Sequence, residues 1–155
     1  GGNSSWLLGG FLLASSLASS VSATIWGWMA DRSSRQVIIR GAAIASAVCV
    51  VVGGLNLLAS DAIVSPWFYP GAFFVLSIAH AGVRLGRKTY LVDMAGGNKR
   101  TDYTAVSNTV IGVLLLVTGG LSALASLISP GAVIIMLGAM GVAGTISGIR
   151  LKEVE

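Results

Sequence analysis

Charge is scarce in this sequence. Charged residues make up 10% of its 155 positions, where a soluble domain carries about 25%. Too few polar side chains remain to coat a water-soluble globule. Histidine and cysteine are scarcer still, with one of each, His80 and Cys49. One cysteine permits no internal disulfide and no thiolate metal cluster, and a single histidine provides poorly for His-based metal sites or a Cys/His dyad. Cys49 stands in the apolar run Ala47 to Val51 and reads as a small buried hydrophobe. No Gly-x-x-x-x-Gly-Lys-Ser/Thr phosphate loop occurs. Dinucleotide binding needs a strand–turn–helix setting that the long apolar segments do not offer. The sequence therefore points away from an enzyme, and no cofactor or metal is expected.

What is present is apolar. Hydrophobic residues reach 54%, with 21 glycines besides, and the mean hydropathy is +0.84. Five stretches approach or exceed the roughly 20 apolar residues needed to cross the hydrocarbon of a bilayer: residues 6–30, 37–60, 67–94, 103–128 and 132–149. They lack sustained period-two alternation and are far longer than a barrel strand of about 10 residues. A backbone in lipid must satisfy its own hydrogen bonds, which leaves the helix. The expected fold is an all-α integral membrane bundle, with the lipid bilayer as its surroundings. The connections are short, so consecutive helices are expected to be antiparallel neighbours. Turns are expected at Asp31–Arg35, at Asp61, Ser65 and Pro66, at Gly96–Asp102 and at Ser129–Gly131.

The formal charge of +4 does not mark a nucleic-acid binder, because no basic stripe with interleaved aromatics is present. Alternating crossings put Arg32, Arg35, Arg40, Arg84, Arg87, Lys88, Lys99, Arg100, Arg150 and Lys152 all on one side. The other side, with the N-terminus and the turns at Asp61 and Ser129–Pro130, has no Lys or Arg. The positive-inside rule makes the basic side cytoplasmic. The expectation is a multi-pass protein of the cell (inner) membrane, N-terminus outside and C-terminus in the cytoplasm. An exported N-terminus without a signal is less usual than a missing preceding helix, so the chain reads as incomplete. Trp6, Trp26, Trp28 and Trp67 fall near expected helix ends and read as interfacial anchors. Gly9, Gly10, Gly112, Gly119, Gly120, Gly138, Gly141, Gly144 and Gly148 lie within the expected helices and read as points of close helix approach.

Residues Gly27-Trp28-Met29-Ala30-Asp31-Arg32-Ser33-Ser34-Arg35-Gln36 resemble the signature loop of the major facilitator superfamily, Gly-x-x-x-Asp-Arg-x-Gly-Arg-Lys. Gly27, Asp31, Arg32 and Arg35 match; Ser34 and Gln36 depart from the pattern. In the family the loop joins helices two and three, recurs in weaker form between helices eight and nine, lies in the cytoplasm and helps latch the two halves together. Its Asp is expected to cap a neighbouring helix and pair with Arg. The stretch Val83 to Asp93, followed by Asn98 to Tyr103, resembles the link between helices ten and eleven. On that register these are helices eight to twelve, the C-terminal portion, and the partner is the missing N-terminal half. A competing register makes them helices two to six. The resemblance implies a secondary transporter moving a small solute by alternating access, without naming the solute. The alternative reading is a non-transporting five-helix membrane anchor or assembly subunit.

Polar groups deep in a membrane are functional candidates by default. His80 and Arg84 are four residues apart on the third helix and share a face, with Ser77 one turn earlier. They are expected to face a central cavity and contact an anionic or polar substrate, with His80 able to change protonation. The competing reading is a packed histidine beside an arginine that snorkels to the interface. Asn56 and Asn108 complete the expected polar stripe; for Asn108 an interhelical hydrogen bond is the stronger expectation.

Overall fold

The structure, a computed structural model, describes residues 2–58 and 68–154, with side-chain placement from residue 9 onward. Its elements are α1 (Gly2–Ala30), α2 (Ser34–Leu58), α3 (Phe68–Met94), a short 3₁₀ turn (Gly97–Lys99), α4 (Arg100–Ser126) and α5 (Pro130–Ile149). No strand occurs among the described residues. All five α-helices are long and apolar enough to span a membrane. The protein is an all-α, multi-pass membrane protein. The expected turn at Asp61, Ser65 and Pro66, and Trp67 with it, lies outside the described residues, as does the side chain of Trp6.

Helices α2 and α5 start earlier than the hydropathy reading because polar caps, rather than the first apolar residue, begin them. The Ser33 hydroxyl accepts from the Gln36 amide at 3.1 Å, so α2 starts at Ser34 instead of residue 37. Ser129 accepts from the Ala132 amide at 3.1 Å, and Pro130, which has no amide to leave unsatisfied, opens α5.

Helix α2 is central. It packs against α3 on one flank and α5 on the other; α1 lies mainly on α3, and α4 sits at the margin against α5 and α3. Close approach comes from small residues, as expected where lipid gives helices no hydrophobic reason to associate. At Gly41 an added Cβ would lie 3.0 Å from the Ala79 carbonyl oxygen, so α2 and α3 touch backbone to backbone. At Gly53 it would lie 3.1 Å from the Ile135 amide nitrogen of α5. The same interface holds the buried Ser46 hydroxyl, which donates to the Gly138 carbonyl at 2.9 Å.

Several expectations are corrected here. Consecutive helices are not uniformly the principal neighbours: α1 makes its main contact with α3, not α2. The short connection Asp31–Ser33 joins α1 and α2 at one end only, and side-chain fit decides the rest. Trp26 supplies that fit. It is buried, not interfacial, at 5% exposure, and its indole N–H donates to the Ile78 carbonyl at 2.9 Å. Trp28, by contrast, is exposed, with the Arg32 guanidinium 4.0 Å from its ring centroid. The glycines also divide. Gly138, Gly141 and Gly148 meet α2, whereas Gly9, Gly10, Gly112, Gly119, Gly120 and Gly144 have nothing within 4 Å of an added Cβ.

Candidate functional site

Among the described residues α1 and α5 do not touch. They stand as walls on either side of a floor made by α2 and α3, and the space between them is a cavity of about 680 Å³. Ser15 and Ser19 come from α1, Ala42, Ala45 and Cys49 from α2, and Leu137, Gly141 and Gly144 from α5. Helix α3 contributes Phe73, Leu76, Ser77, His80, Val83 and Arg84. The periodicity of α3 explains the grouping: one face carries Gly82 and Gly86 into neighbouring helices, and an adjacent face turns Ser77, His80 and Arg84 into the open space. His80 lies 12 residues into a helix of 27, about 18 Å from its start and close to its middle. Arg84 follows one turn, about 6 Å, further along.

The polar members differ in what they offer. Ser77 donates its hydroxyl proton to the Phe73 carbonyl at 2.8 Å, within its own helix. His80 and Arg84 are both exposed within the bundle, on the cavity side of α3. A second, smaller cavity of about 380 Å³ lies between α1 and α3, lined by Ser19, Ala23, Trp26, Ala81, Arg84, Leu85 and Lys88. Ser19 and Arg84 line both, so the two spaces adjoin. His80, Arg84 and Lys88 thus form a ladder in steps of four residues. Among the described residues, no acidic side chain lines either space.

Ser77, His80 and Arg84 are therefore brought together. Asn56 and Asn108 are not part of the same stripe. The Asn56 carboxamide oxygen lies beside Gly131, 2.8 Å from where a Cβ would be, at the far end of the α2–α5 contact. Asn108 is exposed on α4 and lines a separate depression with Arg100, Thr101, Thr104 and Ala105. Helix α4 packs at the margin, and that takes Asn108 away from the cavity whatever its own periodicity. Cys49 is corrected in the other direction: it is half-buried and lines the cavity. The sequence reading also missed Lys88 as a site residue, although its spacing from Arg84 marks the same face. Ser15 and Ser19 carry no such signal, because α1 is serine-rich along much of its length.

The signature-like loop occupies one end of the bundle. Arg35 pairs with Glu153 at 3.0 Å and donates to the Ile149 carbonyl at 2.7 Å, at the end of α5. The Ser33 hydroxyl donates to the same Glu153 carboxylate while capping α2. The Tyr90 hydroxyl donates to the Lys152 carbonyl at 3.0 Å. These bonds hold the C-terminal tail between the start of α2 and the end of α3. The loop after α1, the end of α3 and the tail thus share one end. The expected cap by Asp31 is corrected: Ser33 takes that role, Asp31 is exposed, and Arg35 turns to the tail. Arg32 stacks on Trp28, and Gly27 has open space around it. The Ser33 hydroxyl, and after it the Arg35 guanidinium, hold the Glu153 carboxyl below its ordinary range.

Comparison with known proteins returns no match, whether to family models, to curated proteins or to solved structures.

Proposed function

We propose that this chain is the membrane-embedded part of a secondary transporter similar to the major facilitator superfamily, passing a small solute through the cavity between α1 and α5 by alternating access. The basic end of the bundle is cytoplasmic in this reading. The observation that carries it is the cavity itself. It holds a histidine and an arginine near the middle of a membrane-spanning helix, facing an open space between helices. Ionisable groups at such depth are costly in lipid and mark solute paths. The match of Gly27, Asp31, Arg32 and Arg35 to the signature loop supports the same reading. A pure anchor or assembly subunit has no need of such a cavity.

Cys49 is a built-in reporter, being the single cysteine and a wall of the cavity. Alternating access predicts that membrane-impermeant thiol reagents modify it from either face of sealed vesicles, at rates that a transported solute changes. A Cys49 that stays unmodified from both faces would overturn the transporter reading in favour of the anchor.

A further inference from the structure

The two adjoining cavities differ in character along α3. Towards Phe73 the walls are apolar, made by Phe73, Leu76 and Leu137. Towards the end of α3 the lining becomes basic, with His80, Arg84 and Lys88 at successive turns, each about 6 Å beyond the last. Arg84 stands where the two spaces meet. Its guanidinium presents a planar fork of donors suited to a carboxylate. Two basic side chains, Arg84 and Lys88, with no carboxylate alongside among the described residues, repel cations and raise the local concentration of anions. The volume of about 680 Å³ falls within the range of small-molecule sites.

From this arrangement we propose that the solute is an amphipathic organic monoanion, with its carboxylate on Arg84 and its apolar body against Phe73, Leu76 and Leu137. The assignment rests on the transporter reading above and names the substrate class of that same cavity. Lys88 lies one turn further along, on the expected cytoplasmic side, and draws anions to the mouth of the path. Cationic and zwitterionic solutes are disfavoured, because no acidic side chain among the described residues lines the path to pair with an ammonium. An anionic phospholipid has the same two-part chemistry, and the experiment below separates it from a soluble carboxylate.

The test is equilibrium binding of radiolabelled benzoate to the purified protein in phosphatidylcholine nanodiscs, against empty discs. Benzylamine and benzyl alcohol serve as matched cationic and neutral competitors. Saturable benzoate binding that neither competitor displaces is the expected result. Arg84→Gln should weaken it about tenfold, the scale of one lost charge-assisted contact. Arg84→Lys should restore much of the loss, and Arg150→Gln in the tail should change nothing. Absence of saturable binding, equal competition by benzylamine, or an Arg84→Gln protein that binds as well as the parent would each overturn the proposal. Adding phosphatidylglycerol to the discs separates the two sources. Unchanged binding supports a soluble carboxylate, and loss of binding assigns the cavity to lipid and overturns a soluble solute. If benzoate fails while Cys49 remains open to both faces, the substrate class is wrong and the transporter reading stands. If both fail, the transporter reading falls too.

Discussion

The indole ring of Trp26 lies flat against Gly82 of α3, so close that a Cβ on Gly82 would come within 2.6 Å of the ring. The neighbouring bond from the indole N–H to the Ile78 carbonyl fixes the ring in that position. The ring belongs to a small buried cluster with Ala30 and Val37, against which Met29, Ile78 and Leu85 pack. One residue of α1 thereby ties α1 to α3 and sets the width of the cavity beside it.

Gly82→Ala is expected to destabilise the protein by about 1–3 kcal/mol, the usual cost of overpacking a rigid contact. Gly119→Ala is the matched control, because nothing lies within 4 Å of a Cβ there. It should be neutral, or stabilising by up to about 1 kcal/mol through the better helix propensity of alanine. Thermal unfolding in detergent, followed by tryptophan fluorescence, compares the two. Equal stability of both variants would mean that Trp26 does not occupy this position.

Docking of the C-terminal tail should depend on pH through Glu153. Its carboxyl is held below its ordinary range by Ser33 and Arg35. A group whose folded pKa is lowered adds stability above its unfolded pKa and loses it as the pH falls through the folded value. The tail is thus expected to be docked at neutral pH and to loosen on acidification below the usual carboxylate range. Glu153→Gln should remove most of this pH dependence. Hydrogen exchange of the 150–154 backbone, measured across pH and corrected for intrinsic rates, checks it. The bond from Tyr90 to Lys152 is a hydroxyl–carbonyl contact and should persist, so loosening is expected to be greatest at Glu153. An identical profile in the parent and in Glu153→Gln would show that the pair does not hold the tail.

Orientation follows from the basic end of the bundle. In a Cys49→Ser background, Ile128→Cys is expected to react with an impermeant maleimide on intact cells, and Lys99→Cys only after lysis. Ile128 is 81% exposed and Lys99 is exposed at the start of α4, so access to reagent is not limited by packing. The reverse pattern would invert the topology and contradict the positive-inside reading.

The helical, membrane-spanning character of the chain was legible in its residues. Lipid imposes a one-dimensional constraint: a long apolar run must satisfy its own backbone, and it does so within itself as a helix. The grouping of Ser77, His80 and Arg84 was legible for the same reason, since a helix places residues three and four apart on one face. That the basic loop and the tail share an end followed from counting crossings, and the Arg35–Glu153 pair now shows it at atomic scale.

Which helices touch was decided elsewhere. Gly41, Gly53 and Gly82 are pressed against neighbours, while Gly112, Gly119 and Gly120 are not, and their sequence surroundings do not tell them apart. Trp26 and Trp28 are two residues apart, yet one is buried and the other exposed. Asn108 was expected to reach across to a neighbouring helix, but α4 is marginal and the residue is exposed. Each of these outcomes depends on which helix lies opposite, a property of pairs of segments distant in the chain. Periodicity names the face of a helix; only the packed bundle decides whether that face meets a neighbour, a cavity or lipid.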